Sequence, residues 1–117
     1  MILYHSKVIL FMKNWDNKDS KDLFKIIARI KNENEARGFL RDLLTEAEII
    51  EFSKRWKVAK MLNYQIPYTT ICNSTGLSSR TVARISKWLN SGMGGYKRMI
   101  KANTDHRGSQ SFGKGLS

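Results

Sequence analysis

The sequence predicts an all-α fold, a multi-helix domain that contains a helix-turn-helix. Three observations support this prediction. Apolar residues recur with a helical period from Asp16 onward, the stretch from Tyr68 to Leu89 has the pattern of two short helices joined at Gly76, and no segment shows the alternation of a strand. We therefore expect an N-terminal arm (1–15), a helical domain (16–102) and a disordered basic tail (103–117).

Three helices are predicted before the helix-turn-helix. The first is amphipathic and runs from about Asp19 to Lys31. Asn32 is the expected N-cap of the second helix, with Glu35 as its box partner. The capping box Thr45-Glu46-Ala47-Glu48 opens the third helix, which is expected to reach about Tyr64.

The third helix is apolar on most of its faces. One side and much of the remainder are lined by Ile49, Phe52, Trp56, Ala59, Ile50, Val58, Met61 and Leu62. A helix of this kind needs cover on most faces, and a chain of 117 residues has little to supply it. The pattern therefore predicts a second subunit, that is, a homodimer.

The helix-turn-helix is predicted between residues 68 and 89. Gly76 supplies the left-handed backbone that ends its first helix, and Leu77 fills the corner. Ser78 or Ser79 caps the second helix. Apolar residues lock the two helices together at Ile71, Val82 and Ile85. The alternative is an ordinary helical hairpin in a core, which has no need of the cations on the second helix.

The charge of the chain favours a polyanionic partner. The formal net charge is +11 and the pI is about 10.1. Residues 1–76 contain 13 Lys/Arg and 9 Asp/Glu, whereas residues 77–117 contain 8 and 1, so the two parts carry +4 and +7. The excess lies on and after the second helix of the motif, which predicts binding to double-stranded DNA.

Individual contacts to DNA follow from the positions along the motif. Arg80 and Thr81, near the start of the second helix, are expected to reach base edges, and Arg84 to do the same or to face a ligand pocket. Ser78 and Ser79 would aim backbone N–H groups at a phosphate. Phosphate anchors are expected from Lys87, Thr69, Thr70 and Asn73.

Catalysis, a metal site and membrane insertion are not expected. The chain has only His5 and His106, its single Cys72 lies on a packing face, and it shows no hydrolase, phosphate-loop or metal-ligand motif. The apolar N-terminal stretch is interrupted by Lys7 and is too short to span a membrane. One cysteine fits a reducing cytosol, so a cytoplasmic, nucleoid-associated protein is expected.

Four segments resemble the Trp repressor family and, within it, the TrpR-like YerC/YecD branch. They are FLRDLLTEAE from Phe39, RWKVAKML from Arg55, the helix-turn-helix, and LNSGMGGY from Leu89, and the resemblance extends from about Leu23 to Met99. It implies an intertwined, all-helical bacterial homodimer. The second helix of the helix-turn-helix in one subunit would lie about one turn of DNA from its copy in the other subunit. The two copies would read a palindromic operator as a transcriptional repressor does.

The resemblance also implies an effector pocket. Tryptophan repressors bind free tryptophan, and the match places Thr45, Arg55 and Arg84 in that pocket. Ile85 and Trp88, however, stand where the family has a glycine and a small serine. We therefore expect another small effector, or none, in place of tryptophan, and no cofactor. The alternative for Arg55 is an ion pair with Glu51 one turn earlier.

Other functions remain open at this point. The main alternative is a ligand-independent architectural or RNA-binding helical protein, for which the basic tail and the obstructed pocket argue. A helical protein that binds another protein through its apolar third helix is a further alternative.

Overall fold

The computed structural model describes residues 14–114, with side chains as far as Asp105. This part of the chain contains six helices and no strand, which confirms the predicted all-α class. The helices are α1 (Lys18–Ile27), α2 (Glu33–Leu43), α3 (Glu46–Asn63), α4 (Tyr68–Thr75), α5 (Ser79–Ser91) and α6 (Gly95–Lys114). Except for Asn14 and Trp15, the predicted arm lies outside the described residues.

The chain divides into two compact units, one ending at Leu44 and the other beginning at Thr45. The first unit contains α1 and α2. Neither helix has a buried residue, and Phe24, Ile26 and Leu43 are exposed apolar side chains. These two helices are amphipathic, and their apolar faces are not buried within their own unit.

The first helix begins close to its predicted start and ends earlier than predicted. Its N-terminus is a capping box that the sequence analysis missed: the Ser20 N–H donates to Asn17 Oδ1 at 2.9 Å, and the Asn17 N–H donates to Ser20 Oγ at 2.8 Å. The helix ends at Ile27, so the predicted end at Lys31 is wrong. The physical reason is that the N–H groups of Arg29 and Ile30 bond three residues back, which tightens and ends the last turn.

The caps of α2 and α3 are as predicted. Asn32 Oδ1 accepts the Glu35 N–H at 2.9 Å, although the Glu35 carboxylate accepts the N–H of Lys31 rather than that of Asn32. At α3 the box is reciprocal, with the Glu48 N–H on Thr45 Oγ1 at 3.1 Å and the Thr45 N–H on Glu48 Oε1 at 2.9 Å. The bond from the Thr45 N–H, together with a side-chain hydrogen bond from Thr45, lowers the pKa of Glu48, because both stabilise the charged carboxylate.

The second unit packs α3, α4, α5 and α6 around one small core. Its buried apolar side chains come from all four helices and are Val58, Ala59, Ile71, Val82, Ile85, Leu89 and Ile100. Each of the larger ones contributes about 1.5–3 kcal/mol by leaving water. The other three helices cover only the second half of α3, since Ile50 and Phe52 in its first half are 57% and 42% exposed.

The last helix extends beyond the predicted helical domain. That domain was expected to end at residue 102 and to be followed by a disordered tail over residues 103–117, but α6 continues to Lys114. Composition alone misses this extension, because each residue added to an existing helix gains one backbone hydrogen bond without a new nucleation cost. Residues 115–117 lie outside the described part of the chain.

Candidate nucleic-acid interface

The turn between α4 and α5 is made by three residues. Gly76 has φ 75° and ψ 4°, the left-handed conformation expected of it, and its N–H donates to the Cys72 carbonyl at 2.8 Å. Leu77 is half-buried and packs against the core. Ser78 then begins α5. The short connection and the left-handed glycine are those of a helix-turn-helix.

The N-cap of α5 is Ser78, which resolves the choice between Ser78 and Ser79. Its backbone is extended, and its Oγ accepts the Thr81 N–H at 3.2 Å. The hydroxyls of Ser78 and Thr81 are also 3.1 Å apart. Thr81 is half-buried, so the cap engages a residue that the sequence analysis assigned to base contact.

Two opposite faces of α5 carry different chemistry. Val82, Ile85 and Leu89 are buried in the core. Arg80 and Arg84 are exposed, four residues apart, and therefore lie above one another on a single face. Lys87 continues that face one turn further. The helix thus presents a row of three cations to solvent while its other side is fixed to the protein.

Most of the other predicted DNA contacts are also accessible. The exposed ones are Thr69, Thr70, Asn73, Ser78 and Ser79. Those on α4 accompany Ile71, the residue that anchors this helix in the core. The helix-turn-helix therefore supplies hydroxyl and amide groups next to the cationic row.

The electrostatic environment of the motif is uniformly positive. No acidic residue occurs between Phe52 and Thr104. The same stretch contains ten cationic residues, which are Lys54, Arg55, Lys57, Lys60, Arg80, Arg84, Lys87, Lys97, Arg98 and Lys101. Within residues 14–105 none of the three cations on α5 forms an ion pair with a carboxylate, so the charge on this face favours phosphate.

The residues assigned to an effector pocket have other roles in the structure. Thr45 caps α3, and Ile85 is buried in the core. Arg55 Nη2 pairs with Glu51 Oε1 at 3.2 Å, as the alternative interpretation predicted, and its guanidinium carbon lies 5.5 Å from the centre of the Phe52 ring. Arg84 is exposed on α5.

Trp88 lines an open apolar groove of about 450 Å³ between α3, α5 and α6. The other lining residues are Trp56, Gly92, Met93, Gly95, Tyr96 and Met99. Of the five predicted effector residues, Trp88 alone contributes to this groove. The other lining residues were not predicted, because their common feature, a concave apolar surface, arises only when three helices pack together.

Two negative observations apply to the part of the chain that is described. No helix there is long and apolar enough to cross a membrane. No group of three or more His, Cys, Asp or Glu side chains is arranged to hold a metal ion among those residues.

Comparison with known proteins identifies the family. The family model described as Trp repressor protein matches residues 18–104, which include α1 to α5 and the first half of α6. The chain belongs to the Trp repressor family. It therefore shares the fold of a family made up of DNA-binding regulators rather than enzymes.

Two relatives place the chain on the TrpR-like YerC branch of the Trp repressor family. The uncharacterized protein YerC of Bacillus subtilis (strain 168) is 35% identical over 83 residues, which cover 71% of this chain and 80% of YerC. A TrpR like protein from Eubacterium eligens ATCC 27750, whose crystal structure is known, superposes with a TM-score of 0.73 at 34% identity. The match covers 79% of this chain and 95% of that protein.

Proposed function

We propose that this protein is a sequence-specific transcriptional regulator that binds double-stranded DNA and acts in the manner of a repressor. The observation that carries the proposal is the division of α5 into a buried face and a cationic face. The buried face, with Val82 and Ile85, anchors the helix in the core of the domain. The cationic face, with Arg80 and Arg84, is free to enter the major groove. Such a protein would lie on the chromosome in the cytoplasm.

Each exposed group has a role in this proposal. Arg80, in the first turn of α5, forms two hydrogen bonds to guanine O6 and N7, and Arg84 reads a neighbouring base pair. Lys87 and the hydroxyls of Thr69 and Thr70 bind phosphates and set the register of the protein on the duplex. The first-turn N–H groups of α5 add a further phosphate contact.

A homodimer is part of the same proposal. Exposed apolar side chains in the first half of α3 and at the groove beside α6 include Ile50, Phe52, Met93 and Met99. Large apolar side chains exposed on this scale favour association. A two-fold dimer would cover them and present two copies of α5 to the same side of a palindromic site.

We further propose that tryptophan does not control this regulator. Of the side chains that the family places around tryptophan, Thr45 caps α3 and Arg55 forms an ion pair, and the bulky Ile85 and Trp88 stand where the family has small residues. A different small effector, or ungated binding, fits these residues better. Tryptophan is accordingly expected to leave DNA affinity unchanged.

A second candidate function is that of an architectural or RNA-binding protein without a specific site. The observation in its favour is that cations continue beyond the motif onto α6, where Lys97, Arg98 and Lys101 are exposed. A broad basic surface attracts any nucleic acid, because counterion release does not depend on sequence.

In vitro selection distinguishes the two functions. Genomic duplex fragments are selected with the purified full chain at physiological salt, with and without an amino-acid mixture that includes tryptophan. A variant with Arg80→Ala and Arg84→Ala serves as the matched control. Enrichment of one palindrome by the wild type and not by the variant supports the regulator. Salt-sensitive binding to duplexes and single-stranded RNA with no enriched sequence would instead support the second candidate.

Sedimentation equilibrium of the full chain tests the dimer separately. The expected mass is twice the 13.5 kDa of one chain. Replacing the exposed Phe52 by serine should shift the equilibrium towards the monomer, since it removes an apolar side chain from the surface proposed to be covered. A wild type that sediments as a monomer at high micromolar concentration would contradict the dimer.

A further inference from the structure

Thr75 is the last residue of α4, and only 7% of its surface is exposed. Among residues 14–105 it is the one polar residue that is buried. Its hydroxyl has two partners. Oγ1 donates to the Ile71 carbonyl at 2.7 Å and accepts the Leu77 N–H at 3.3 Å. One side chain therefore connects the buried turn of α4 with the residue that lies directly before the cap of α5.

The bond from the Leu77 N–H to Thr75 Oγ1 takes the place of a backbone hydrogen bond that this helix end lacks. Gly76 closes α4 with a single bond, from its N–H to the Cys72 carbonyl. In the alternative Schellman ending, the following N–H would also bond to a helix carbonyl. Here that N–H belongs to Leu77, and the Thr75 hydroxyl accepts it.

This bond limits the freedom of the connection. Gly76 is the residue with the widest choice of backbone angles, so its own sterics do not set the direction in which the chain leaves α4. The Leu77 N–H is held by Thr75, and the Leu77 side chain packs against the core. The next residue, Ser78, is already the N-cap of α5. Because both the backbone N–H and the side chain of Leu77 are held, Leu77 fixes the direction in which α5 begins.

We propose that Thr75 is a positioning residue for DNA recognition. It does not touch DNA, because it is buried, but its hydroxyl holds α5 at the angle that brings Arg80 and Arg84 to their base pairs. Recognition groups must be held to within a fraction of an ångström of their productive geometry. This inference rests on the proposed function of α5, and it assigns sequence discrimination to a residue outside the contact surface.

Three variants separate the hydroxyl of Thr75 from its methyl group. Thr75→Val keeps the shape and removes both hydrogen bonds, Thr75→Ser keeps the hydroxyl and removes the methyl group, and Thr75→Ala removes both. The measurement is the ratio of affinities for the duplex enriched by the wild type and for a scrambled duplex of the same composition, at one salt concentration. Thermal unfolding of each variant is followed in parallel, and the ratio is measured well below the lowest midpoint.

We expect the ratio to fall by about tenfold in Thr75→Val and Thr75→Ala, because the N–H of Leu77 loses its partner and the orientation of α5 is no longer held; a tenfold fall corresponds to about 1.4 kcal/mol of lost discrimination. Thr75→Ser should stay within about twofold of the wild type. Affinity for the scrambled duplex should barely change, since the cations remain exposed in every variant. Amide hydrogen exchange at Leu77 should accelerate in Thr75→Val and Thr75→Ala and remain slow in Thr75→Ser.

Two results would overturn the inference while leaving the proposed function in place. One is an unchanged ratio in Thr75→Val, which would give the hydroxyl a role in stability alone. The other is an equal loss in Thr75→Ser and Thr75→Ala, which would assign the effect to packing of the methyl group. If Thr75→Val does not fold, the comparison of the serine and alanine variants still decides. A wild type that enriches no duplex would overturn the proposed function and this inference together.

Discussion

Replacing Arg80 by alanine removes one guanidinium group from the first turn of α5 and leaves the rest of the helix intact. Arg80 is exposed, and within residues 14–105 its side chain makes no hydrogen bond or ion pair. The substitution also removes a flexible side chain in favour of the best helix former. The free energy of unfolding should therefore change by less than about 0.5 kcal/mol, so a loss of DNA affinity would report on the interface itself.

The magnitude of that loss depends on what Arg80 contacts. A bidentate contact to guanine contributes about 1–3 kcal/mol of discrimination, which corresponds to roughly 5- to 150-fold in affinity for the cognate duplex. On a scrambled duplex the same variant loses only the attraction of one charge to phosphate. The expected signature is thus a large loss at the cognate site, a small loss elsewhere and relaxed specificity at a single base pair.

Fluorescence anisotropy with labelled duplexes measures these affinities. The panel contains the enriched palindrome, single base-pair variants of each half-site and a scrambled duplex, all at one fixed salt concentration. Arg37→Ala is the matched control, because it removes the same charge from an exposed position on α2. Equal losses on every duplex would show that Arg80 binds phosphate alone, and an unchanged affinity would place the first turn of α5 outside the interface.

Three further predictions concern other parts of the second unit. Lys87→Ala should weaken binding to all duplexes alike and make the slope of log affinity against log salt shallower by about one; an unchanged slope would remove Lys87 from the phosphate contacts. The folded state lowers the pKa of Glu48, so its contribution to stability is present above the unfolded-state pKa and is lost as the pH falls through the folded-state value. Chemical denaturation should accordingly give the wild type a larger free energy of unfolding than Glu48→Gln. This difference should be largest at neutral pH and shrink in acid, and a difference that does not change with pH would contradict this cause. Gln65 has φ 60°, where a side chain is strained, so Gln65→Gly should raise the free energy of unfolding by about 0.5–1 kcal/mol, whereas a decrease would show that the Gln65 side chain contributes more than the strain costs.

Local rules predict much of the secondary structure because caps and turns depend on neighbouring residues. Asn32 and Thr45 form the caps that were expected of them, and Gly76 has the left-handed backbone required at the turn. The same rules did not predict the N-cap of α1. Asn17 and Ser20 form a capping box without the usual glutamate, so the pattern was overlooked.

Helix ends were predicted less well than helix starts. A start is marked by one or two side chains, whereas an end depends on when the backbone changes its hydrogen-bonding pattern. In α1 that change occurs after Ile27 although apolar residues continue to Ile30. In α6 the polar composition after Ala102 suggested disorder, and the helix nevertheless continues to Lys114.

The amphipathic pattern of α5, the positive charge of the chain and the family resemblance could all be obtained from the order of the residues. Periodicity places Arg80, Arg84 and Lys87 on one face of a helix whatever that helix packs against, because side chains three and four residues apart lie together. Two features required packing between helices that are distant in sequence. They are the burial of Thr75 and the groove beside Trp88. A hydrogen-bonded buried threonine and an exposed one have the same letter in a sequence, and only the surrounding helices distinguish them.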